Sequence, residues 1–468
     1  MSPHIATYVF ASVIAGLFWL DRDTTVKTSK ALWIPVIWLF LNASRSTSLW
    51  ISTFESGTEL VRQNALDVLE DGNPIDRAVF TLLIATGIIV LLARRGRVRR
   101  LLQGHFAIFL FFSYCAVSAL WSDYPLQSFK HFMKGLGDVA MVLIVLSDDA
   151  PEVALRRLLA RLGFVLIPLS VLFVKYYPEL GREYNEWTYD PMYSGVSTSK
   201  NMLGMVCLIF GLGSLWRLVA LLTRRDEPRR MQGLLAHGVV LAMVFWLFFI
   251  SNSMTSMACF CLAGGMVIVT NLKGLRRKPA IVHFAMASIV VVSAAVLFSG
   301  AGGGVLQTMG RDPTLTNRTA IWNLILGIQG NPLLGTGYES FWLGNRLKQV
   351  WSVYPGIRSA HNGYLDIYLN LGWIGVVLLV VVIAAGYKRV FAVLHQNPSL
   401  GSISLAYFVV AIVYNFTEAA FQAMFPVWVM FLLVILILPN SQKSNRSVSN
   451  RIDLTGIPSE TLLMASPW

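Results

Sequence analysis

The sequence predicts an all-α polytopic membrane protein with about 12 or 13 transmembrane helices and one large outer loop that carries short amphipathic helices. Composition is the first observation, since 55% of the 468 residues are hydrophobic, 13% are charged and the mean hydropathy is +0.60. The second is that apolar stretches recur from end to end, and a helix needs about 20 residues to cross a ~30 Å hydrocarbon core. The third is that basic residues stand in short clusters between these stretches, which leaves no sizeable soluble domain.

The predicted spans follow the apolar stretches in order. They are residues 4–20, 31–43, 77–93, 105–121, 132–147, 155–174, 201–222, 233–250, 254–270, 280–299, 366–386, 402–418 and 424–438. The sequence leaves open whether the first two both cross the membrane. The first stretch lacks a basic n-region and a small-residue cleavage site, so we expect no removable signal peptide.

The spans divide the chain into five parts. These are the N-terminal transmembrane helices (1–110), the central transmembrane helices (111–299), a large loop (300–360), the C-terminal transmembrane helices (361–438) and a Ser- and Asn-rich tail (439–468). A tail of that composition buries too little apolar surface to fold, so we expect it to be disordered. We find no solenoid-type repeat, and no pair of broken helices in matching halves of the kind that marks many transporters.

Basic loops predict the orientation, because short Lys/Arg-rich connections stay cytoplasmic. The strongest are ARRGRVRR at 93–100, TRRDEPRR at 223–230, NLKGLRRKP at 271–279 and YKRV at 387–390, and alternation of the spans places all four on one side. The opposite face then carries the acidic, aromatic segment 175–200 and the loop 300–360. The DRD triplet at 21–23 has a metal-type pattern, but it falls on the cytoplasmic side and we assign it no role.

The net charge of +13 does not indicate a nucleic acid partner. Nucleic acid binding needs basic residues on one soluble face, whereas here they stand between apolar spans, where topology explains them. The four cysteines all lie in apolar stretches without the spacing of a zinc or redox site, so we expect no metal site.

Three basic side chains stand at the edges of apolar spans on the outer face. They are Lys200 in GVSTSKNMLG (195–204), Arg318 in a run with Trp322 at helical spacing, and His361 in SAHNGYLDIYLNLGWIG (359–375). Taken singly, Lys200 could be an interfacial lysine, Arg318 an anchor for lipid phosphate, and His361 a satisfied polar side chain. Taken together, they predict a site for a diphosphate at the head-group level with its tail in lipid, such as a polyprenyl-diphosphate sugar.

Five stretches together resemble the O-antigen ligase and Wzy-type polysaccharide polymerase superfamily, and within it the exopolysaccharide polymerases. The stretch ALWSDYP resembles the family's WS-x-x-P, and TSKNMLG resembles H-K-N-x-L-G, with Ser199 where histidine is usual. The runs LTNRTAIW and NPLLGTGYESFW are similar to T-G-R-T-x-x-W and P-L-L-G-x-G, and AHNGYLDIYLNLGWIG is similar to H-N-x-x-L with a trailing L-G-x-x-G. The resemblance covers most of the chain from about residue 110. One departure, SNSMTSMACF at 251–260 where many ligases have an arginine, bears on the ligase assignment rather than on the superfamily.

The resemblance implies a metal-independent, inverting glycosyl transfer at the periplasmic face of the bacterial inner membrane, without a cofactor. The donor would be an undecaprenyl-diphosphate-linked oligosaccharide and the acceptor a sugar hydroxyl. A diphosphate is a good leaving group, so one general base suffices, and His361 is the candidate, held neutral if a helix begins near Ser359. The expected substrate-binding residues are Lys200, Asn201, Arg311, Arg318, Asn362 and Tyr364.

Three functions compete at this point. The leading one is a polymerase that joins lipid-linked repeat units, with membrane lipid, a chain-length regulator and export proteins as further candidate partners. A ligase that passes finished polymer to lipid A-core or another acceptor uses the same donor end, so the motifs do not separate the two. A lipid-linked sugar transporter would be expected to carry charges inside its spans, whereas here the unusual charges gather on one face.

Overall fold

The fold is described by a computed structural model, which covers residues 1–23, 26–55, 72–184, 190–223, 227, 229–271, 283–284, 286–288, 291 and 315–438. Arg311, most of the predicted span 280–299, the first part of the large loop and the tail from 439 lie outside the described residues.

The described residues form helices in the following order. They are α1 (Pro3–Leu20), α2 (Trp33–Ala43), α3 (Thr47–Glu55), α4 (Pro74–Ala93), α5 (Arg95–Leu102), α6 (Phe106–Ser118), α7 (Pro125–Leu146), α8 (Pro151–Tyr176), α9 (Pro178–Gly181), α10 (Lys200–Thr223), α11 (Arg230–Ser251), α12 (Met254–Asn271), α13 (Leu315–Gly327), α14 (Gly344–Val353), α15 (Gly363–Gln396), α16 (Pro398–Tyr414) and α17 (Pro426–Leu436). Short 3₁₀ turns at Lys30–Leu32 and Ala119–Trp121 precede α2 and follow α6. Strand β1 (Arg182–Tyr184) pairs antiparallel with β2 (Pro191–Tyr193).

The predicted all-α polytopic membrane fold is confirmed. Within the described residues, seven helices are long and apolar enough to span a membrane, or eight if the α5–α6 pair, bent by 95°, is one span. The predicted spans over α2, α16 and α17 are apolar helices of fewer than 18 residues. Helix α7 is also long enough to span, but it carries three charged residues, Lys130, Lys134 and Asp138. It is therefore not among the seven.

Helix α1 runs the full depth of the bundle. Near its start, the Thr7 hydroxyl lies 2.8 Å from the Tyr177 hydroxyl, just beyond the end of α8. At its other end, Asp21 lies 3.3 Å from Nε2 of His237. Since α1 is also 18 residues long and apolar, it is one of the seven described helices that are long and apolar enough to span a membrane.

The basic connections gather at one end of the bundle. Arg97 pairs with Asp149, Arg229 donates to the carbonyl of Arg22, and Arg389 contacts the carbonyl of Gly104. The basic segments 93–100, 223–230 and 387–390 therefore share one end, so far as their residues are described. Two of these predicted loops are helical, since 95–100 belongs to α5 and 387–390 lies within α15. The fourth predicted basic loop, 271–279, lies outside the described residues apart from Asn271. Helix α10 begins at the opposite end, and Arg217 stands about 24 Å along it from Asn201.

Helix α15 is broken at Gly372, whose φ of +63° lies in the left-handed region. Breaking a helix frees backbone groups that must be satisfied elsewhere. Here the loop 332–337 satisfies them, because the amides of Trp373 and Ile374 donate to carbonyls of that loop and its own amides donate back to α15. A Cβ on Gly372 would stand 2.2 Å from the carbonyl oxygen of Leu333, so only glycine permits this approach. The motif NPLLGTGY and the segment LGWIG of α15 therefore contact each other.

Candidate functional site

His361 lies just before the first turn of α15. The helix begins at Gly363 and not near Ser359, and Asn362 is its N-cap, with Oδ1 accepting from the amides of Tyr364 and Leu365 at 3.0 Å each. His361 is therefore outside the helix, in a left-handed conformation with φ of +48°. Non-glycine residues in this region cost about 1–3 kcal/mol and concentrate at functional sites, although histidine tolerates it better than most.

A carboxylate faces the imidazole. Nδ1 of His361 lies 3.5 Å from Oε2 of Glu418, a long contact of the kind that tightens when a substrate fills an empty site. A carboxylate at Nδ1 favours the tautomer with a proton on that nitrogen, which leaves the lone pair on Nε2. Nε2 has no hydrogen-bond partner within the described part of the chain, and the side chain is 36% exposed. The arrangement resembles the base and orienting carboxylate of a catalytic triad.

Glu418 is itself held in place from two sides. Its Oε1 accepts a hydrogen bond from Nδ2 of Asn201, at the first turn of α10, at 3.2 Å. Its backbone carbonyl accepts from the amide of Gly363 at 3.1 Å, and the carbonyl of Asn415 accepts from the same amide at 2.9 Å. The segment after α16 is thus tied both to the helix that follows His361 and to the helix that begins beside Lys200.

Arg318 and Trp322 approach the same two residues from α13. They stand four positions apart, so they share one helix face. Nη1 of Arg318 donates to the carbonyl of Thr417 at 2.9 Å, and Nε1 of Trp322 donates to the carbonyl of Ala360 at 2.9 Å. Since Thr417 precedes Glu418 and Ala360 precedes His361, α13 borders the imidazole–carboxylate pair. Burial lowers the pKa of the Arg318 guanidinium, and the nearby charge of Glu418 raises it.

The other predicted site residues have different surroundings. Lys200 is exposed at the first position of α10, next to Asn201. Asn362 uses its side chain for the helix cap and for a bond from Nδ2 to the carbonyl of Phe416. The Tyr364 hydroxyl donates to the carbonyl of Ile412 at 3.0 Å and its ring packs on two phenylalanines, so it supports the site from within the bundle. Arg311 lies outside the described residues, and its role remains a prediction.

The stretch that departs from the family pattern also borders the site. Helix α12 begins at Met254, and Oγ1 of Thr255 lies 3.0 Å from Oγ1 of Thr417. The stretch SNSMTSMACF therefore brings the hydroxyl of Thr255 to the residue that precedes Glu418. A neutral hydroxyl can orient a substrate by hydrogen bonding but cannot neutralise a charge.

A cavity of about 190 Å³ opens beside the start of α15. Its lining includes Glu339, Trp342, Arg358 and Asp366, together with Gly363. Nε1 of Trp342 and the amide of Ala360 both donate to Oδ1 of Asp366, at 2.9 and 3.1 Å. Carboxylates, a tryptophan and a guanidinium around a small cavity are groups that bind polar ligands such as sugars by hydrogen bonding and ring contact.

Glu339 forms a hydrogen bond that holds the segment after Glu418 in place. Its Oε1 accepts from the amide of Ala423 at 2.6 Å, and its φ of +51° is left-handed. Burial raises the pKa of Glu339 from 4.5 to about 7, against the opposing effects of the Ala423 amide and the charge of Lys134. A carboxyl group with a raised pKa retains its proton in the folded state at pH values where the unfolded chain has lost it.

We expect the pKa of Glu339 to make stability depend on pH. Between about pH 4.5 and pH 7 the folded protein binds the extra proton, so the free energy of unfolding falls as pH rises, by up to about 3 kcal/mol. Glu339→Gln keeps an oxygen for the Ala423 amide and removes the titration. Thermal unfolding of purified protein at pH 5 and pH 7.5 should therefore show a smaller loss in Glu339→Gln than in the wild type. Equal losses would contradict this, and Glu179→Gln, which changes an exposed carboxylate, is the control.

Gly363 admits no side chain, because a Cβ there would stand 1.8 Å from Oδ1 of Asn415. We expect Gly363→Ala to move the start of α15 away from the segment after α16, and so to separate His361 from Glu418. A displacement of about 1 Å can cost ~10²-fold in rate. Transfer rate and unfolding temperature of purified protein measure the two effects. Gly238→Ala in α11, where a Cβ meets nothing within 4 Å, should match the wild type; a fully active Gly363→Ala protein would contradict the contact.

Glu418 belongs to this cluster, although the sequence did not predict it there. The apolar run predicts a span over 402–418, which places the carboxylate inside a helix. The structure ends α16 at Tyr414, and Oδ1 of Asn415 accepts from the amides of Ala420 and Phe421, which turns the chain. An asparagine followed by an acidic residue in an apolar run was the available signal, since ionisable groups in such runs are expensive and mark functional positions.

Comparison with known proteins confirms the resemblance indicated by the motifs. Residues 238–380 match the family model Wzy_C, described as O-antigen ligase. This match includes Arg318 and His361, and it leaves Asn201 and Glu418 outside.

Curated relatives agree with the family match. The chain is 27% identical over 298 residues to the exopolysaccharide production protein ExoQ of Rhizobium meliloti, an alignment that covers 60% of this chain and 64%, less than two thirds, of that relative. It is 23% identical to a protein named "Putative polysaccharide ligase" of Rickettsia conorii, over 72% of this chain and 81% of the relative. A protein of the same name from Rickettsia felis is 23% identical over 71% of this chain and 80% of the relative.

Proposed function

We propose, with the O-antigen ligase match of residues 238–380 as the premise, that this chain is a polysaccharide polymerase. It transfers saccharide from an undecaprenyl-diphosphate carrier onto a sugar hydroxyl of another lipid-linked repeat unit, with inversion and without a metal ion. The observation that carries the proposal is the contact between His361 and Glu418, bordered by Arg318, at the end of the bundle away from the basic loops. That end faces the periplasm if the basic loops are cytoplasmic.

His361 acts as the general base in this proposal. Nε2 takes the proton of the acceptor hydroxyl while its oxygen attacks the anomeric carbon, and the bond from that carbon to the diphosphate oxygen breaks. Glu418 accepts the Nδ1 proton in a hydrogen bond, keeps the correct tautomer and stabilises the imidazolium that forms. Asn201 holds Glu418 by donating to Oε1, so it is a positioning residue and not a direct contact of the substrate.

Fixed cations stabilise the departing diphosphate. Arg318 uses one N–H for the Thr417 carbonyl, and a guanidinium has five N–H donors, so most of them are left for phosphate oxygens. Lys200 is exposed one residue before Asn201, where its long side chain can reach the same group. These two cations supply the charge stabilisation that a leaving diphosphate needs.

The cavity beside α15 offers a place for the acceptor sugar. It is lined by Gly363 and Ala419, the neighbours in sequence of Asn362 and Glu418, so it adjoins the proposed base. An acceptor sugar there would contact Trp342 and the carboxylates of Glu339 and Asp366. Transfer to a sugar hydroxyl requires an acceptor site of this kind, whichever molecule carries the acceptor sugar.

A ligase is the second candidate, and the family description and the names of two relatives favour it. The two functions differ only in the acceptor. Purified protein in lipid, given an undecaprenyl-diphosphate-linked repeat unit alone, should produce a ladder of products that differ by one repeat. No ladder, with transfer appearing only after lipid A-core is added, would establish the ligase. No transfer to either acceptor would overturn both.

A further inference from the structure

A second cavity lies at the basic end of the bundle, away from His361. Its volume is about 510 Å³, and it is bordered by the end of α1, the connection to α2 and the first turns of α8. It includes the DRD triplet at 21–23, for which the sequence suggested no role. The proposed function uses none of its residues.

The charge of this cavity is strongly positive. Among the described residues, five basic and two acidic side chains line it, which gives a net charge of +3, and the basic ones are Arg22, Lys27, Lys30, Arg157 and Arg161. The acidic side chains face other bases, since Asp21 lies 3.3 Å from His237 and Asp23 lies 3.5 Å from Arg156. The charge of Asp23 is therefore partly neutralised by Arg156, which lies outside the cavity.

Arg161 brings an unpaired donor to this cavity, so far as the described residues show. Its guanidinium lies over the ring of Trp33, 4.3 Å from the centroid, which fixes its plane. Its Nη1 is buried and has no hydrogen-bond partner among the residues that the structure describes. A buried N–H group without an acceptor is costly, so such groups in native proteins normally find a partner in the protein, in water or in a ligand.

The wall around Arg161 is preformed. Nη1 of Arg157 donates to Oγ1 of Thr28 at 2.7 Å, and Nη2 donates to the carbonyl of Asp23 at 2.9 Å, which ties the connection before α2 to α8. The deeper lining is apolar, with Phe18 and Phe164 beside the cations. A rigid pocket with a cationic rim and an apolar wall suits a ligand that has both a charged and an apolar part.

We propose that this cavity binds a phosphate oxyanion, with Arg161 and Lys30 as direct contacts. A guanidinium fixed in one plane matches phosphate by paired hydrogen bonds, and lysines add charge. Basic pockets at this end of a membrane bundle are suited to anionic head groups, and the apolar wall would take the adjoining part of a lipid. The phosphate is carried either by a membrane lipid or by a soluble anion, and the two sources differ in measurable ways.

The test uses the purified full chain and two ligands. One arm measures unfolding temperature in sodium phosphate against sodium chloride of equal ionic strength. The other measures, by native mass spectrometry, how many phosphatidylglycerol molecules remain bound compared with phosphatidylcholine. We expect the wild type to retain phosphatidylglycerol, and Lys30→Gln/Arg161→Gln to need at least tenfold more of it for equal occupancy. Stabilisation of the wild type by phosphate alone, lost in the variant, would identify the soluble anion as the ligand.

Two further variants keep the result decisive. Lys27→Gln/Lys30→Gln changes exposed side chains between helices, so it remains informative if the Arg161 variant does not fold. Lys388→Gln removes an exposed lysine from the same end of the bundle and should bind as the wild type does. The site is overturned if a folded double variant binds both ligands as well as the wild type, or if Lys388→Gln loses as much binding. Activity of the enzyme does not enter this test, so its outcome is separate from that of the proposed function.

Discussion

Replacing His361 with alanine should reduce glycosyl transfer by about 10²- to 10⁴-fold, the usual contribution of a general base. The side chain lies just before α15 and is 36% exposed, so it contributes little to packing. Protein level and membrane insertion should therefore not change. Initial rates with purified protein, at saturating lipid-linked repeat unit, measure the loss directly.

Glu418→Gln should lose less than His361→Ala, because it leaves the base in place and removes only the charge that orients and stabilises it. Its pH–rate profile should shift as well, which a purely structural role would not produce, and Glu418→Asp should restore part of the rate.

The matched control for His361→Ala is His395→Ala. His395 is exposed at the other end of the bundle, so His395→Ala should be fully active. Wild-type rates in His361→Ala would show that another group is the base.

The second large effect is expected at Arg318. Its guanidinium is partly desolvated and stands beside Glu418, where a fixed positive charge is most effective against developing diphosphate charge. Arg318→Ala should cost about 2.7–4 kcal/mol in the transition state, or roughly 10²- to 10³-fold in rate. Because the contact to Thr417 is also lost, the unfolding temperature should be measured alongside the rate.

Arg318→Lys separates charge from geometry. Lysine keeps the positive charge but lacks the planar fork, so an intermediate rate is expected. Lys348→Ala removes an exposed positive charge from α14 in the same loop and should leave the rate unchanged. If Arg318→Ala lost no more rate than Lys348→Ala, the arginine would be an anchor and not part of the diphosphate site.

The fold class followed from the sequence because hydropathy reports directly on burial in lipid. The starts of α10 and α15 were placed within a few residues because a polar loop meets an apolar run at each. The predicted spans at 402–418 and 424–438 correspond to the apolar helices α16 and α17, which are 17 and 11 residues long and largely buried inside the bundle.

Only part of the candidate site could be predicted from the sequence. His361, Arg318 and Asn201 were predicted from motifs and unusual charges, and the structure brings them to one place, whereas their roles remain predictions. Glu418 was not found, because its partner is 57 positions away and only the turn at Asn415 brings the two together. The break at Gly372 was also missed, since it depends on the loop 332–337 supplying hydrogen bonds from outside the helix.

In the proposed mechanism, His361 takes the proton of the acceptor hydroxyl during transfer from a diphosphate carrier. Single-turnover transfer from a labelled undecaprenyl-diphosphate repeat unit, followed as release of the diphosphate carrier by wild type and His361→Ala side by side, tests it most directly. We predict stoichiometric release with each new linkage in the wild type, and a release rate at least about 10²-fold slower in the variant, with unchanged donor binding. Equal release rates would contradict the claim.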